Sequence, residues 1–214
     1  HGDVLAPFPH ALYSSFHTTA GYLDQSLAVR LNRQRDGLAP YLSFFRNVFP
    51  EGAGYKHDDL DLRKELSDEP RETEPLNADS HLAFISAGLR SCVTYRGRAE
   101  QPVYFIDLDG LNEGRPRQRV TTILGFHTEE TVACDRVSVP MSAHPVESVS
   151  LKDPRLGIYQ RCQELIAAHG VTKGRIQLAL APGEDQAGLT VNEYETLLMR
   201  HDLADVLRDP LRFM

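Results

Sequence analysis

The sequence predicts an α+β fold. Segments of alternating apolar and polar residues come in runs rather than singly, segments with helical apolar spacing stand between those runs, and no regular strand–helix–strand alternation links them. The 214 residues are 41% hydrophobic and 25% charged, a globular composition that excludes disordered, collagenous and coiled-coil chains. At roughly 150 residues per domain, the length suits one large domain or two small ones.

Residues 1–9 are punctuated by Pro7 and Pro9 and read as an arm. Residues 11–19 carry small, aromatic and β-branched side chains and read as a strand. Helices are expected at 23–32 and 37–49, the second presenting Leu38, Tyr41, Leu42 and Phe45 on one face. Residues 51–75 change character: eight acidic side chains fall between Asp58 and Glu74, which makes a solvated loop with a short helix near 60–66. Residues 78–90 read as a helix burying Leu82, Phe84, Ile85 and Leu89. Strands are expected at 91–95, 103–108, 117–126, 130–140 and 147–151. Asp153-Pro154 supplies a cap and a first-turn proline for a helix with Ile158, Cys162, Leu165 and Ile166 on one face, and Gly170 stops it. A strand at 175–181 follows, and Thr190 with Glu193 forms a capping box for a last helix through Met199.

Charge and cysteine content narrow the function classes. A net charge of −7 and a pI near 5.7 argue against a general nucleic-acid binder, which needs a basic face for phosphates. No apolar run approaches the ~20 residues that span a bilayer, and residues 1–10 lack the blocks of a signal peptide. Cys92, Cys134 and Cys162 are odd in number and scattered, so a reducing, cytoplasmic setting is expected rather than a disulfide framework or a thiolate zinc site. The chain does not begin with Met, as a processed or trimmed start would not. The dinucleotide-binding glycine fingerprint, the P-loop, the His-Glu-x-x-His helix and the nucleophile elbow are all missing. A catalytic site here must be assembled from dispersed residues.

Three of the nine histidines stand among polar groups: His17 at the end of a strand, His57 at the head of the acidic loop, and His81 at the start of a helix. Neutral imidazole is the commonest ligand for borderline metals, and three with an open position make a catalytic zinc site; surface or capping histidines are the plain alternative. Arg115, Arg117 and Arg119 alternate and, in an extended chain, project to one face suited to a phosphate or carboxylate, or simply to a charged strand edge. Thr190 and Glu193 cap a helix in one reading; Asn192 and Glu193, with Arg200, His201 and Asp202 beyond, are polar enough for a site in the other.

At these residues the chain resembles the YjbQ-like family, the secondary thiamine-phosphate synthases. His17-Thr18-Thr19-Ala20-Gly21 is similar to the family's His-Thr-Ser-Ala-Ser segment. Tyr55-Lys56-His57-Asp58-Asp59 resembles its acidic-loop histidine, and the run from Asp79-Ser80-His81-Leu82 through Arg90-Ser91-Cys92 its helix and following strand. Residues 117–124 resemble its final strand. The likeness covers about residues 11–125, and it departs in two places. Gln25 and Ser26 stand nearest the family's Asn-Glu pair, and Asp109, Asn112 and Glu113 occupy a hairpin where histidines are expected. Residues 126–214 resemble the family's beginning: Asn192-Glu193 and Arg200-His201-Asp202 are present, and Glu184 stands about where the histidine would be. The chain therefore reads as a permuted or partly duplicated member, with a part at 1–125 and a second at 126–214 whose strands complete the same sheet. The resemblance implies a mixed or antiparallel β-sheet sandwich with flanking helices, and a homo-oligomer, a trimer above all, with sites near subunit contacts.

The leading expectation is a metal-dependent transferase, hydrolase or lyase acting on a small phosphorylated or carboxylated metabolite. His17, His57 and His81 hold a divalent ion, zinc first, as Lewis acid or activator of water. Asp79, Glu193 and Asn192 are the catalytic candidates; Thr18, Arg115, Arg117 and Arg119 bind substrate. Nucleic acid and membrane are not expected partners. Two other classes remain open: an oligomeric binding or structural protein on the same fold, and a metal-free isomerase or lyase using His17 and Asp79 as acid and base.

Overall fold

Period-two burial is clearest in β1 (His10–Ser15), where Ala11, Tyr13 and Ser15 are buried and the intervening residues half-buried. In this computed structural model, residues 2–31, 35–63, 74–97, 102–112, 114–140, 153–184, 202, 206 and 208 are described. After a short helix α1 (Gly2–Leu5) come β1, β2 (Ala20–Leu23), α2 (Gln25–Arg30) and α3 (Arg35–Val48). Two 3-10 turns follow, Lys56–Asp58 and Leu60–Leu62, then α4 (Ala78–Ser86), β3 (Leu89–Arg90), β4 (Cys92–Tyr95), β5 (Phe105–Asp107), β6 (Leu111–Asn112), β7 (Arg115–Pro116) and β8 (Thr121–Phe126). The last described helix spanning several residues is α5 (Ile158–Ala168). Helices and antiparallel sheets together bear out the α+β class. No helix among the described residues is long and apolar enough to cross a membrane.

The chain divides into two compact units, residues 1–129 with 198–214, and residues 130–197. In the first, β1 runs between β4 and β8, and β2 runs between β3 and β5, all pairings antiparallel. Tyr13, Tyr22 and Tyr95 pack together, ring centroids 5.6 and 5.9 Å from Tyr13, and the Tyr95 hydroxyl donates to the Leu23 carbonyl. The larger core gathers Leu23, Leu38, Leu82, Phe84, Ile106 and Val206, so α3 and α4 cover the second sheet. The Tyr41 hydroxyl ties α3 to the end of α4 through the Ala87 carbonyl, at 2.7 Å.

Several boundaries differ from the sequence reading for identifiable reasons. The strand expected at 11–19 breaks at a bend, and residues 20–23 pair as a second strand that takes in Leu23, the first residue of the helix expected at 23–32. Asp24 then caps α2 by accepting the Ser26 N–H at 2.9 Å. The helix expected at 78–90 stops at Ser86 because Gly88 takes φ 65°, which releases Leu89 and Arg90 into β3. Gly114, at φ 75°, turns the β6–β7 hairpin in the stretch between the strands expected at 103–108 and 117–126. Of the short helix expected near 60–66, the described part holds a 3-10 turn at Leu60–Leu62, and residues 64–66 lie outside the described residues.

In the second unit, Asp153 does not cap α5. Its carboxylate accepts the Arg155 N–H at 2.9 Å in a preceding turn, and α5 starts after Gly157 at φ 64°. Residues 130–140 and 175–181 form no strand. Their alternating apolar residues, Val137 and Val139 in one segment and Ile176, Leu178 and Leu180 in the other, are exposed. Alternation marks a segment able to pair, but a strand exists only where a ladder partner meets it. The strand expected at 147–151 and the helix at 190–199 lie outside the described residues.

Candidate functional site

The 3-10 turn Lys56–Asp58 buries His57, and α4 buries His81, so the two rings meet with centroids 4.9 Å apart and planes tilted by 49°. Asp58 holds the pair together. Its Oδ1 lies 3.1 Å from His57 Nδ1 and also accepts the Ala78 N–H at 3.0 Å, at the start of α4. A proton on Nδ1 satisfies the carboxylate and leaves the lone pair on Nε2. That Nε2 is buried without a partner, as are His81 Nδ1 and Asn77 Oδ1. Only Thr94 Oγ1 joins these three among the described residues, so the unsatisfied buried side-chain atoms concentrate around this histidine pair and the cap of its helix.

The surroundings explain the protonation states. Burial depresses His81 first, and the charges of His57, Arg63 and Arg117 add to it, down to a pKa of about 3. Burial raises Asp79; Ser80's backbone and hydroxyl oppose this, while Asp58 and Glu51 reinforce it. Tyr55 is pushed up by burial and by the carboxylates of Asp79, Asp58 and Asp202. Asn77, the cap residue of α4, turns its amide away from the helix: Nδ2 donates to Asp109 Oδ2 at 2.7 Å. Asp109 also pairs with Arg117. Arg63 is fully buried and pairs with Glu74 at 2.7 Å.

His81 makes the protein sensitive to acid. As pH falls through the ordinary histidine range, the unfolded chain takes up a proton that the folded chain refuses until about pH 3. Acidification from about pH 8 to about pH 5 is therefore expected to cost about 2 kcal/mol from this residue. Urea unfolding with chelator present, comparing wild type and His81→Asn at the two pH values, checks it. An equal loss in both proteins would contradict it.

The structure treats the other expected site residues differently. The neutral ring of His17 has one lone pair, and its Nε2 accepts the Val120 N–H at 2.7 Å. Ligating a metal through that atom means giving up the bond, so His17 is not drawn into the His57–His81 pair. Among the described residues no group of three or more His, Cys, Asp or Glu is placed to hold a metal ion. Thr18 is half-buried in the bend between β1 and β2. The three arginines do not form one free face: Arg119 Nε and Nη2 each reach one oxygen of Asp107 at 2.7 Å, and Arg117 is held by Asp109. Arg115 is exposed in β7. The expected anion grip is thus partly consumed by the carboxylates of the β5–β6 segment, and burial of Asp107 is outweighed by Arg119, leaving that carboxyl below its usual range. Asn192 and Glu193 lie outside the described residues.

Four contributors escaped the sequence reading in these roles: Asp58, Asn77, Arg63 and Asp202. The adjacency of His57 and Asp58 was a usable signal; the capping position of Asn77 and the depth of Arg63 were not. Compared with known protein families, curated proteins and solved structures, the chain matches none.

Proposed function

We propose that this chain is a cytoplasmic metal-dependent enzyme acting on a small phosphorylated or carboxylated metabolite, with His57 and His81 at the centre of its divalent-metal site. One observation carries the reading: two buried, adjacent imidazoles leave Nε2 of His57 and Nδ1 of His81 without partners. A divalent ion, zinc first among them, answers two lone pairs better than water, and Asn77 Oδ1 offers a further oxygen donor one turn before His81. His17 is left out of this ligand set because Val120 engages its ring.

When bound, the ion supplies Lewis acidity toward a phosphoryl or carboxyl oxygen. The remaining work falls to the chain. Asp58 fixes the tautomer of His57, as an outer carboxylate does for a ligating histidine. Low basicity keeps His81 neutral and able to donate its lone pair. Asp79, raised above the ordinary carboxyl range, suits proton donation and uptake. Arg115, exposed in β7 while Asp109 holds Arg117 and Asp107 holds Arg119, suits an anionic substrate. The YjbQ-like resemblance supports the substrate class and self-association as a trimer.

The test uses protein purified without nickel resin. Elemental analysis is expected to find about one divalent metal per chain, and a screen of phosphorylated and carboxylated compounds to find turnover that a chelator removes. Absence of metal binding together with absence of chelator-sensitive turnover sinks the reading. The raised Asp79 supports a second one, a metal-free acid–base lyase or isomerase, whose mark is chelator-insensitive turnover with a pH profile that moves in Asp79→Asn.

A further inference from the structure

We propose that Asp202 is the positioning residue for His57. The turn that carries His57 begins at Tyr55, which offers no side-chain cap to the N–H groups behind it. Such groups at the start of a helical turn have no partner within the turn and need an acceptor from elsewhere. Asp202 supplies two, from a point 145 residues further along the chain than His57. Its Oδ1 accepts the Lys56 N–H at 2.7 Å, and its Oδ2 accepts the His57 N–H at 3.0 Å. The carboxyl group is buried, at 4% exposure, so these bonds are shielded from solvent; burial raises its pKa and the two backbone N–H groups oppose that rise.

The two carboxylates therefore divide the placement of one imidazole. Asp202 grips its backbone, and Asp58 grips ring Nδ1 at 3.1 Å. With both ends held, the ring has one orientation, its centroid 4.9 Å from that of His81. Asp202 acts on the site through the backbone of His57 and needs no contact with substrate. Its effect on metal affinity rests on the reading of His57 as a ligand; its effect on the ring does not.

The experiment compares wild type, Asp202→Asn, Asp202→Ala and His57→Ala by zinc titration against a chromophoric chelator. Nitrogen-15 NMR of histidine-labelled, metal-free protein follows the ring nitrogens of His57. Asp202→Ala is expected to bind zinc about 10–100-fold more weakly and to shift the His57 ring-nitrogen signals toward a mixture of tautomers. Asp202→Asn, which keeps one acceptor oxygen and turns an amide toward the other N–H, falls between. A lowered Tm in Asp202→Ala with wild-type ring signals and wild-type zinc affinity overturns the proposal, because Asp202 is then a structural cap alone. If wild type and His57→Ala bind zinc alike, the metal reading fails, and the ring signals by themselves decide whether Asp202 positions His57.

Discussion

His57→Ala is expected to abolish stoichiometric metal binding. On the proposed metal reading, the loss should exceed the roughly 10–100-fold that follows removal of an outer-shell partner, because a ligand itself is gone. Asp58→Asn tests that outer shell: the carboxylate accepts from His57 Nδ1 and from Ala78 N–H, and an amide satisfies the pair less well. Its affinity should fall within the 10–100-fold range. Metal at about 100 times its dissociation constant stabilises the wild type by about 2.7 kcal/mol, and this increment should vanish in His57→Ala. His17→Ala is the informative comparison. Its ring accepts the Val120 N–H, so the variant should keep most of its metal affinity. Isothermal titration with zinc, alongside thermal melts with and without metal, reads all three. Wild-type affinity in His57→Ala would remove the histidine pair from any metal site; full loss in His17→Ala would restore the three-histidine set.

Gly21→Ala is expected to be strongly destabilising, because the added methyl meets backbone as well as a ring. A Cβ at this position in β2 would stand 2.5 Å from the Arg90 carbonyl oxygen and 2.9 Å from two ring carbons of Phe84. The ring can turn, but the carbonyl belongs to β3, which pairs with β2 through Tyr22–Arg90 and Leu23–Leu89. Overpacking of this kind costs about 1–3 kcal/mol, and an obstructing backbone puts the expected value at the upper end. Phe84 sits on α4, the helix of His81, so the strain reaches the candidate site as well as the sheet. Urea midpoints of Gly21→Ala and of Gly21→Ala combined with Phe84→Leu separate the two clashes. The second change should recover only part of the loss, since the carbonyl remains. Full recovery would show that β3 yields easily and that the ring alone was the obstacle.

Much of this was visible before any coordinates. The small, aromatic and β-branched residues from Ala11 onward marked a strand where β1 lies, and the apolar spacing that includes Leu82 and Phe84 marked α4 as a buried helix. The second is a consequence of local periodicity, which the backbone geometry imposes wherever a segment lies against a core. The α+β class followed from how those segments are ordered; His57 and His81 were singled out by residue type and polar surroundings, Arg117 by the alternation of three arginines, and Asp79 with the functional reading.

The pairings belonged to the tertiary structure. Nothing in the spacing distinguishes the ring that meets His57 from the one that bonds Val120, yet α4 carries His81 to His57, and Val120, just before β8, meets His17. Alternation put Arg115, Arg117 and Arg119 on one face; Asp107 and Asp109 then took two of the three, a choice set by the β6–β7 hairpin that Gly114 turns. Residues 130–140 and 175–181 have the pattern of strands and are not strands, since a ladder needs a neighbour that alternation does not supply. Asp202 reaches the turn of His57 from 145 residues away. The sequence by itself determined which faces seek burial and which side chains carry chemistry, because those are properties of single segments. Only the fold decided which of those side chains meet, because a meeting is a property of two.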